Sequence, residues 1–166
     1  MEKRFEIKTI LGEGSFSKLY QAYDRKYKKE VALKVEKEDK IKKILKNEYE
    51  ILKNIQGIQH IPKIMEFIEN TDEKLSTIPI DKNSNCIEME LLGKNIFSFK
   101  RGFRNFNLIL ACDILIQCLE SIENLHNKGY IHRDIKPTNF VIGKDVDKFV
   151  DYIRKPPKIE LIFCPL

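Results

Sequence analysis

One short stretch of this 166-residue sequence gathers three side chains that could share a single reaction. Between Tyr130 and Ile142 the chain reads Tyr-Ile-His-Arg-Asp-Ile-Lys-Pro-Thr-Asn-Phe-Val-Ile, which sets Lys136 and Asn139 two and five positions after Asp134. A carboxylate can take up the proton of a hydroxyl, an ammonium group can offset charge that develops on a group in transit, and an amide oxygen can ligate a metal ion. Those are the three duties of phosphoryl transfer. Scattered, these residues would be ordinary polar side chains. As His-Arg-Asp-x-Lys-Pro-x-Asn on a proline-containing loop between a helix and an apolar strand, they form a specific motif.

Two further residues invite the same chemistry. Lys34 lies in Val31-Ala-Leu-Lys-Val35, where strand alternation sends Val31, Leu33 and Val35 to one face and Ala32 with Lys34 to the other. A lysine there is either an exposed side chain on a half-solvated strand or one that needs a partner. Glu48 supplies a candidate. It falls four residues after Ile44 and four before Leu52, on the apolar stripe of the next helix, whereas Glu50 points roughly 200° round that helix and away. An ion pair between Lys34 and Glu48 would be costly to desolvate, and it would aim a lysine at phosphate oxygens. Upstream, Gly12-Glu-Gly-Ser-Phe-Ser17 could let backbone N–H groups approach a phosphate, with Ser17 at the third glycine position. By itself this GxGxxS stretch is equally a hairpin turn. It joins two strands instead of opening a helix, which excludes a dinucleotide-type loop.

The elements that must position these groups follow from periodicity. Alternation from Phe5 to about Val35, broken at Gly12–Gly14 and at Asp24–Glu30, predicts three strands in a meander. From about Asp39 to Ile55 the period changes to three or four, with Ile41, Ile44, Leu45, Leu52 and Ile55 recurring and Gly57 as the stop, so one helix follows. Lys63–Glu69 and Cys86–Leu92 read as two more strands around a polar stretch, Asn70–Asn85, that is long for a hairpin loop. Beyond Gly93 the chain turns helical. The clearest helix runs from about Asn107 to Lys128, with Leu108, Ala111, Cys112, Leu115, Leu119, Ile122 and Leu125 expected to form its packing stripe and the face with Leu115, Leu119 and Ile122 expected to be partly exposed.

Composition bounds the function classes. With 42% hydrophobic and 33% charged residues the chain has the balance of one globular domain. Its net charge of +5 is spread among interleaved acids, not concentrated in a basic stripe, so no nucleic-acid partner is expected. No apolar run approaches a membrane span, and no membrane partner is expected. Cys86, Cys112, Cys118 and Cys164 have neither zinc spacing nor a disulfide pattern, which fits a reduced, intracellular protein, cytoplasmic or nuclear.

On these motifs the sequence resembles the protein kinase family and, within it, the casein kinase I group, nearest to tau-tubulin kinases. The narrower likeness rests on Ala32-Leu-Lys-Val-Glu36, Leu52-Lys-Asn-Ile-Gln-Gly57, Met89-Glu-Leu-Leu-Gly93, Cys118-Leu-Glu-Ser-Ile-Glu-Asn-Leu-His126 and His132 to Phe140. The resemblance implies an α+β, protein-kinase-like fold with a five-stranded antiparallel N-lobe carrying one helix, followed by an incomplete helical C-lobe. It implies a partial kinase domain over 4–166, divided as an N-lobe at 4–92, hinge, helices and catalytic loop at 93–143, and a divergent tail at 144–166. It also implies ATP and Mg²⁺ as cofactors and a protein substrate with a Ser or Thr acceptor. By position, Leu11, Gly12, Gly14 and Val141 would line the nucleotide, Leu19 and Ala32 would sandwich adenine, and Met89 would be the gatekeeper. Glu90 to Leu92 would offer hinge backbone to the base. Lys34 would hold phosphates, oriented by Glu48. Asp134 would be the catalytic base, Lys136 would aid transfer, and Asn139 would ligate the metal. The lysine two after the aspartate resembles serine/threonine kinases more than tyrosine kinases.

The resemblance stops at about Gly143. The family places an Asp-Phe-Gly metal site after the strand that follows the catalytic loop. Asp151 in Lys148-Phe-Val-Asp-Tyr-Ile153 imitates it, with Ile153 where glycine should stand, and is a weak candidate metal ligand. Arg154–Leu166 matches nothing in the family and reads as an abrupt exchange of sequence, as a fragment would show. Two other classes stay open beside the protein kinase. One is a non-catalytic nucleotide- or partner-binding remnant, which a missing metal ligand would favour. The other is a small-molecule kinase, against which His132-Arg133 and Lys136-Pro137 argue.

Overall fold

The computed structural model describes residues 3–37, 44–69, 75, 84–102, 108–143 and 159–161. They fall in two compact units, one drawn from 1–54 and 63–91 and the other from 55–62 and 92–166.

The first unit is built on strands β1 (Phe5–Glu13), β2 (Ser17–Asp24), β3 (Lys29–Glu36), β4 (Ile64–Ile68) and β5 (Cys86–Glu90), with helix α1 (Ile44–Asn54). The strands form one antiparallel sheet in the order β1-β2-β3-β5-β4. This is the expected five-stranded, one-helix arrangement. Residues 38–43, where the helix was expected to begin, and most of the polar 70–83 stretch lie outside the described residues.

Alternation along the strands gives the sheet two apolar faces. Phe5, Ala22, Val31, Leu33, Val35 and Cys86 are buried together on one, with Met65, Ile68 and Leu75 against them. Ala32, Ile87 and Met89 take the other, where they meet Leu45 of α1. Tyr49 of the helix stacks on Phe67 of β4 with ring centroids 5.0 Å apart. At roughly 25 cal/mol per Å² of apolar surface, it is this two-sided burial that holds the sheet and helix together.

A polar cluster that sequence reading did not anticipate ties the start of the chain to the sheet. Arg4 Nη2 lies 2.8 Å from Asp24 Oδ2 and 2.7 Å from Glu88 Oε2, and its Nη1 lies 2.9 Å from Glu66 Oε2. Asp24 and Glu88 are fully buried, whereas Glu66 is half-buried, so one guanidinium serves two poorly solvated carboxylates and a third that is partly solvated. Glu88 Oε1 has no hydrogen-bond partner among the described residues. Burial raises the Glu88 carboxyl above the usual carboxylate range, with Arg4 opposing and Asp24 adding to the rise. Asp24 goes the other way. Burial works to raise it, but hydrogen bonds from Arg4 and from the Lys26 and Tyr27 amides outweigh that and lower it.

The signs of these shifts make a test. A carboxyl raised on folding contributes stability that is full below its unfolded value and is lost as pH rises through its folded value; a lowered one loses its contribution as pH falls. Glu88→Gln keeps an acceptor for Arg4 and needs no proton, so its melting temperature relative to wild type should rise with pH from the unfolded carboxylate range upward. Asp24→Asn should instead cost about 3 kcal/mol near neutral pH, because Arg4 loses a fully buried counter-charge whose carboxyl folding lowers. Thermal melts of both variants between acid and mildly alkaline pH check this. A Glu88→Gln advantage that shrinks as pH rises would contradict the assignment.

The second unit contains α2 (Ile96–Gly102), α3 (Leu108–Asn127), a 3₁₀ turn at Pro137–Asn139, β6 (Phe140–Ile142) and β7 (Ile159–Leu161). No described helix is long and apolar enough to cross a membrane. Helix α3 ends on Gly129, whose φ of 80° is the left-handed cap conformation that suits glycine, and the Tyr130 N–H reaches back to Leu125 O at 3.3 Å. Gly93 passes close to β6, donating to Ile142 O at 2.7 Å, and a Cβ there would stand 2.9 Å from that same oxygen.

One expectation is corrected in this unit. The buried stripe of α3 is Leu110, Ile114, Cys118, Ser121 and Leu125, whereas Leu108, Leu115 and Leu119 are 78%, 61% and 66% exposed and Cys112 is also exposed. The buried stripe is turned by one residue, about 100°, from the expected one, although Leu125 is buried as expected and the exposure of Leu115 and Leu119 was expected too. Apolar residues occupy both faces of this helix, and the face that packs carries Ser121, whose Oγ donates to Cys118 O at 2.7 Å and so buries without penalty. Three residues of the 144–166 segment are described, and they form a strand. This strand, β7, pairs antiparallel with β6, with α3 alongside.

Candidate active-site residues in the two units

In the first unit the geometry around Lys34 is complete. Strand pairing sets Lys34 between Leu19 of β2 and Ile87 of β5. Its Nζ lies 2.5 and 2.6 Å from the two carboxylate oxygens of Glu48. Glu50 is exposed, so the helical register is the expected one. The Lys34 and Glu48 side chains are only 12% and 4% exposed. Burial raises the Glu48 carboxyl, and the Lys34 charge and hydrogen bond pull it back.

The residues expected around a base are gathered in the same unit. Ala32 and Met89 are cross-strand partners, and Leu19 packs into the cluster they share with Ile87. Gly12 pairs with Leu19 beside the β1–β2 turn, which is closed by Gly14 N–H to Ser17 O at 2.9 Å, and Leu11 on β1 is exposed. Glu90 ends β5, and both its N–H and its Oε1 are held by the Lys63 backbone, at 2.9 and 2.6 Å. Leu92 belongs to the second unit and is half-buried.

In the second unit the catalytic-type loop is drawn tight around Asp134. Lys136 Nζ lies 2.6 Å from Asp134 Oδ2. Asn139 Nδ2 donates to the Asp134 carbonyl at 2.7 Å and to its Oδ2 at 3.0 Å. The hydrogen bond from Lys136, seconded by that from Asn139, lowers the Asp134 carboxyl below its ordinary value, so it is ionised at neutral pH. The loop is pinned from behind by His132, fully buried, whose Nδ1 accepts the Asp134 N–H at 3.2 Å. Arg133 between them has φ 65°, a left-handed conformation that a non-glycine residue adopts at a cost of order 1–3 kcal/mol. Proline at the first position of the 3₁₀ turn starts the tight turn that brings Asn139 back to Asp134. Val141 is buried in β6. The anchoring by His132 and the strain at Arg133 were not read from the sequence, although both residues stood in the motif.

The Mg²⁺ that the resemblance implies finds only part of a site here. Mg²⁺ asks for octahedral oxygen ligation, usually with one or two carboxylates. Asn139 offers an amide oxygen, but Asp134 Oδ2 is already shared by Lys136 and Asn139. Among the described residues no group of three or more His, Cys, Asp or Glu side chains could hold a metal ion. Asp151, the weak candidate, lies outside the described residues. The described donors do not fit a Mg²⁺ site.

Comparison with known proteins places these features. The family model described as "Protein kinase domain" matches residues 5–153, which includes Asp151 and stops before β7. A probable serine/threonine-protein kinase of Dictyostelium discoideum is 31% identical over 147 residues, covering 87% of this chain and 28% of its own length. A Drosophila melanogaster protein described as a dual specificity tyrosine-phosphorylation-regulated kinase 3 homolog is 27% identical over 154 residues, or 90% of this chain and 18% of its own length. The chain thus spans less than a third of these relatives.

Proposed function

This chain belongs to the protein kinase family, and we propose that its residues serve ATP-dependent transfer of phosphate to serine or threonine hydroxyls of proteins. The observation that carries the reading is the Asp134 loop. An ionised carboxylate, fixed by a neighbouring ammonium and an amide, is poised to accept a hydroxyl proton while the ammonium offsets charge on the group in transit. Lys34, oriented by Glu48, would hold the nucleotide phosphates. Leu19, Ala32 and Met89 would meet the adenine, with Leu11, Gly12, Gly14 and Val141 lining the nucleotide and Glu90 and Leu92 offering backbone to the base. The finer placement, in the casein kinase I group near tau-tubulin kinases, rests on Ala32–Glu36, Met89–Gly93 and His132–Phe140.

The incomplete donor set favours a second reading for the described residues taken alone. They bind nucleotide and present a base, while transfer at full rate needs a metal-binding carboxylate from outside them.

Nucleotide titrations separate the roles. Lys34 would touch phosphate in the ground state, whereas Asp134 would act on the hydroxyl in the transition state. Lys34→Met should therefore weaken ATP binding by at least about tenfold, and Asp134→Asn should leave it within about twofold. Equal losses in the two variants would show the roles to be misassigned.

A further inference from the structure

Glu36, the last residue of β3, is a buried carboxylate that the proposed chemistry does not use. Its Oε2 accepts from Asn85 Nδ2 at 2.9 Å, and its own N–H donates to Asn85 O at 2.9 Å, so backbone and side chain hold the same residue just before β5. Its Oε1 accepts the N–H of Leu45, in the first described turn of α1, at 3.3 Å. Burying a carboxylate is costly, and hydrogen bonds to both oxygens offset that cost. A purely structural role would end there.

The spacing of the contacts points further. Two residues back on β3, Lys34 meets Glu48 of α1 at 2.5 and 2.6 Å, and Glu48 lies three residues after Leu45. Alternate residues of a strand share a face and stand about 7 Å apart, while helix residues three apart share a face and rise about 4.5 Å. Strand positions 34 and 36 therefore meet helix positions 48 and 45 in turn. One contact alone would leave α1 able to pivot about the ion pair. Two fix both its rotation and its slide along the strand. Asn85 extends the arrangement to β5, whose Ile87 is the cross-strand partner of Lys34.

We infer that Glu36 is a positioning residue: by hydrogen-bonding α1 at Leu45 and the approach to β5 at Asn85, it holds helix and sheet in the register that sets Glu48 against Lys34. That the pair so held serves nucleotide phosphates rests on the nucleotide-binding reading above.

The test is a double-mutant cycle read by urea denaturation of the full chain. Glu48→Ala lowers the folding constant of wild type by breaking the pair. In Glu36→Leu the pair is no longer held, and the same change should lower the constant by a factor at least about tenfold smaller. Glu36→Gln keeps an acceptor for Leu45 and can donate to Asn85 once that amide turns over, so in its background Glu48→Ala should act within about threefold of its wild-type effect. A difference below about tenfold between Glu36→Leu and wild type would show Glu36 to be merely structural and overturn the inference. So would a Gln variant that behaves like the Leu variant. If Glu36→Leu does not fold, Asn85→Ala replaces it in the cycle, with a reduction of at least about threefold expected and a smaller one overturning the inference. A fluorescent ATP analogue gives the second readout. Glu36→Leu should weaken its binding about tenfold when the pair is intact and less than about twofold in Lys34→Met/Glu48→Leu, whereas equal losses in the two backgrounds would count against positioning through the pair. Absence of binding by wild type would overturn the nucleotide-binding reading itself, while the denaturation cycle would still decide the role of Glu36.

Discussion

The purified chain should pass phosphate from ATP to protein hydroxyls at least about a thousandfold more slowly than the roughly 1–100 s⁻¹ common among protein kinases. The loss is large because phosphoryl transfer depends almost wholly on positioning and on neutralising charge, and the described residues hold no carboxylate set for a metal. The proposed base, Asp134, is ionised and held by Lys136 and Asn139, so the expected loss does not come from it. Asp134→Asn is accordingly the control for contaminating kinases, and the wild-type chain should run no faster than that variant. Robust transfer that disappears in Asp134→Asn would refute the expectation and make Asp151→Asn the next variant to measure.

Glu48→Ala should destabilise the first unit by about 3–5 kcal/mol, the usual consequence of removing one partner from a buried ion pair. It leaves the Lys34 ammonium, 12% exposed, without the two oxygens that now flank it. Lys34→Met should behave differently. Glu48, raised by burial even with Lys34 beside it, would then be protonated on folding. Its contribution would be full below the unfolded carboxylate value and lost as pH rises through the higher folded one, so that variant should melt lower as pH increases. Lys34→Met/Glu48→Leu should return close to wild-type stability, since apolar replacement of a whole buried pair is often neutral or better. Chemical denaturation of the three variants across pH measures these differences. A double variant as unstable as Glu48→Ala would show that the loss lies in packing and not in the stranded charge.

On the proposed function, stability and nucleotide affinity should come apart in this pair. The double variant should fold yet bind nucleotide poorly, which separates a phosphate-holding lysine from a merely structural one. Arg4 offers a contrast. It serves three carboxylates, of which Asp24 and Glu88 are buried, and Glu88 keeps an oxygen without a hydrogen-bond partner among the described residues. Burial raises the Glu88 carboxyl above its ordinary value, with Arg4 opposing and Asp24 adding to the rise, so of the three acids it is the one shifted toward protonation.

What the amino-acid sequence determined by itself is local. Alternation placed Lys34 opposite Val31, Leu33 and Val35, and the 3.6-residue period placed Glu48 inward and Glu50 outward. Spacing put Asp134, Lys136 and Asn139 on one turn, since a proline-started turn of a few residues has little freedom to separate them. Tertiary structure decided what depends on partners far along the chain. Arg4 meets Glu66 and Glu88 across 62 and 84 residues, a pairing with no periodic trace. Helix α3 carries apolar residues on two faces, and only packing against its neighbours selected Leu110, Ile114 and Cys118 over Leu108, Leu115 and Leu119. The partner of β6 came from Ile159–Leu161, beyond the residues that the family model matches, because a strand edge takes whichever extended segment can complete its hydrogen bonds. Periodicity reports which way a side chain points, whereas the group it meets is set by long-range packing and hydrogen bonding, which no local window contains.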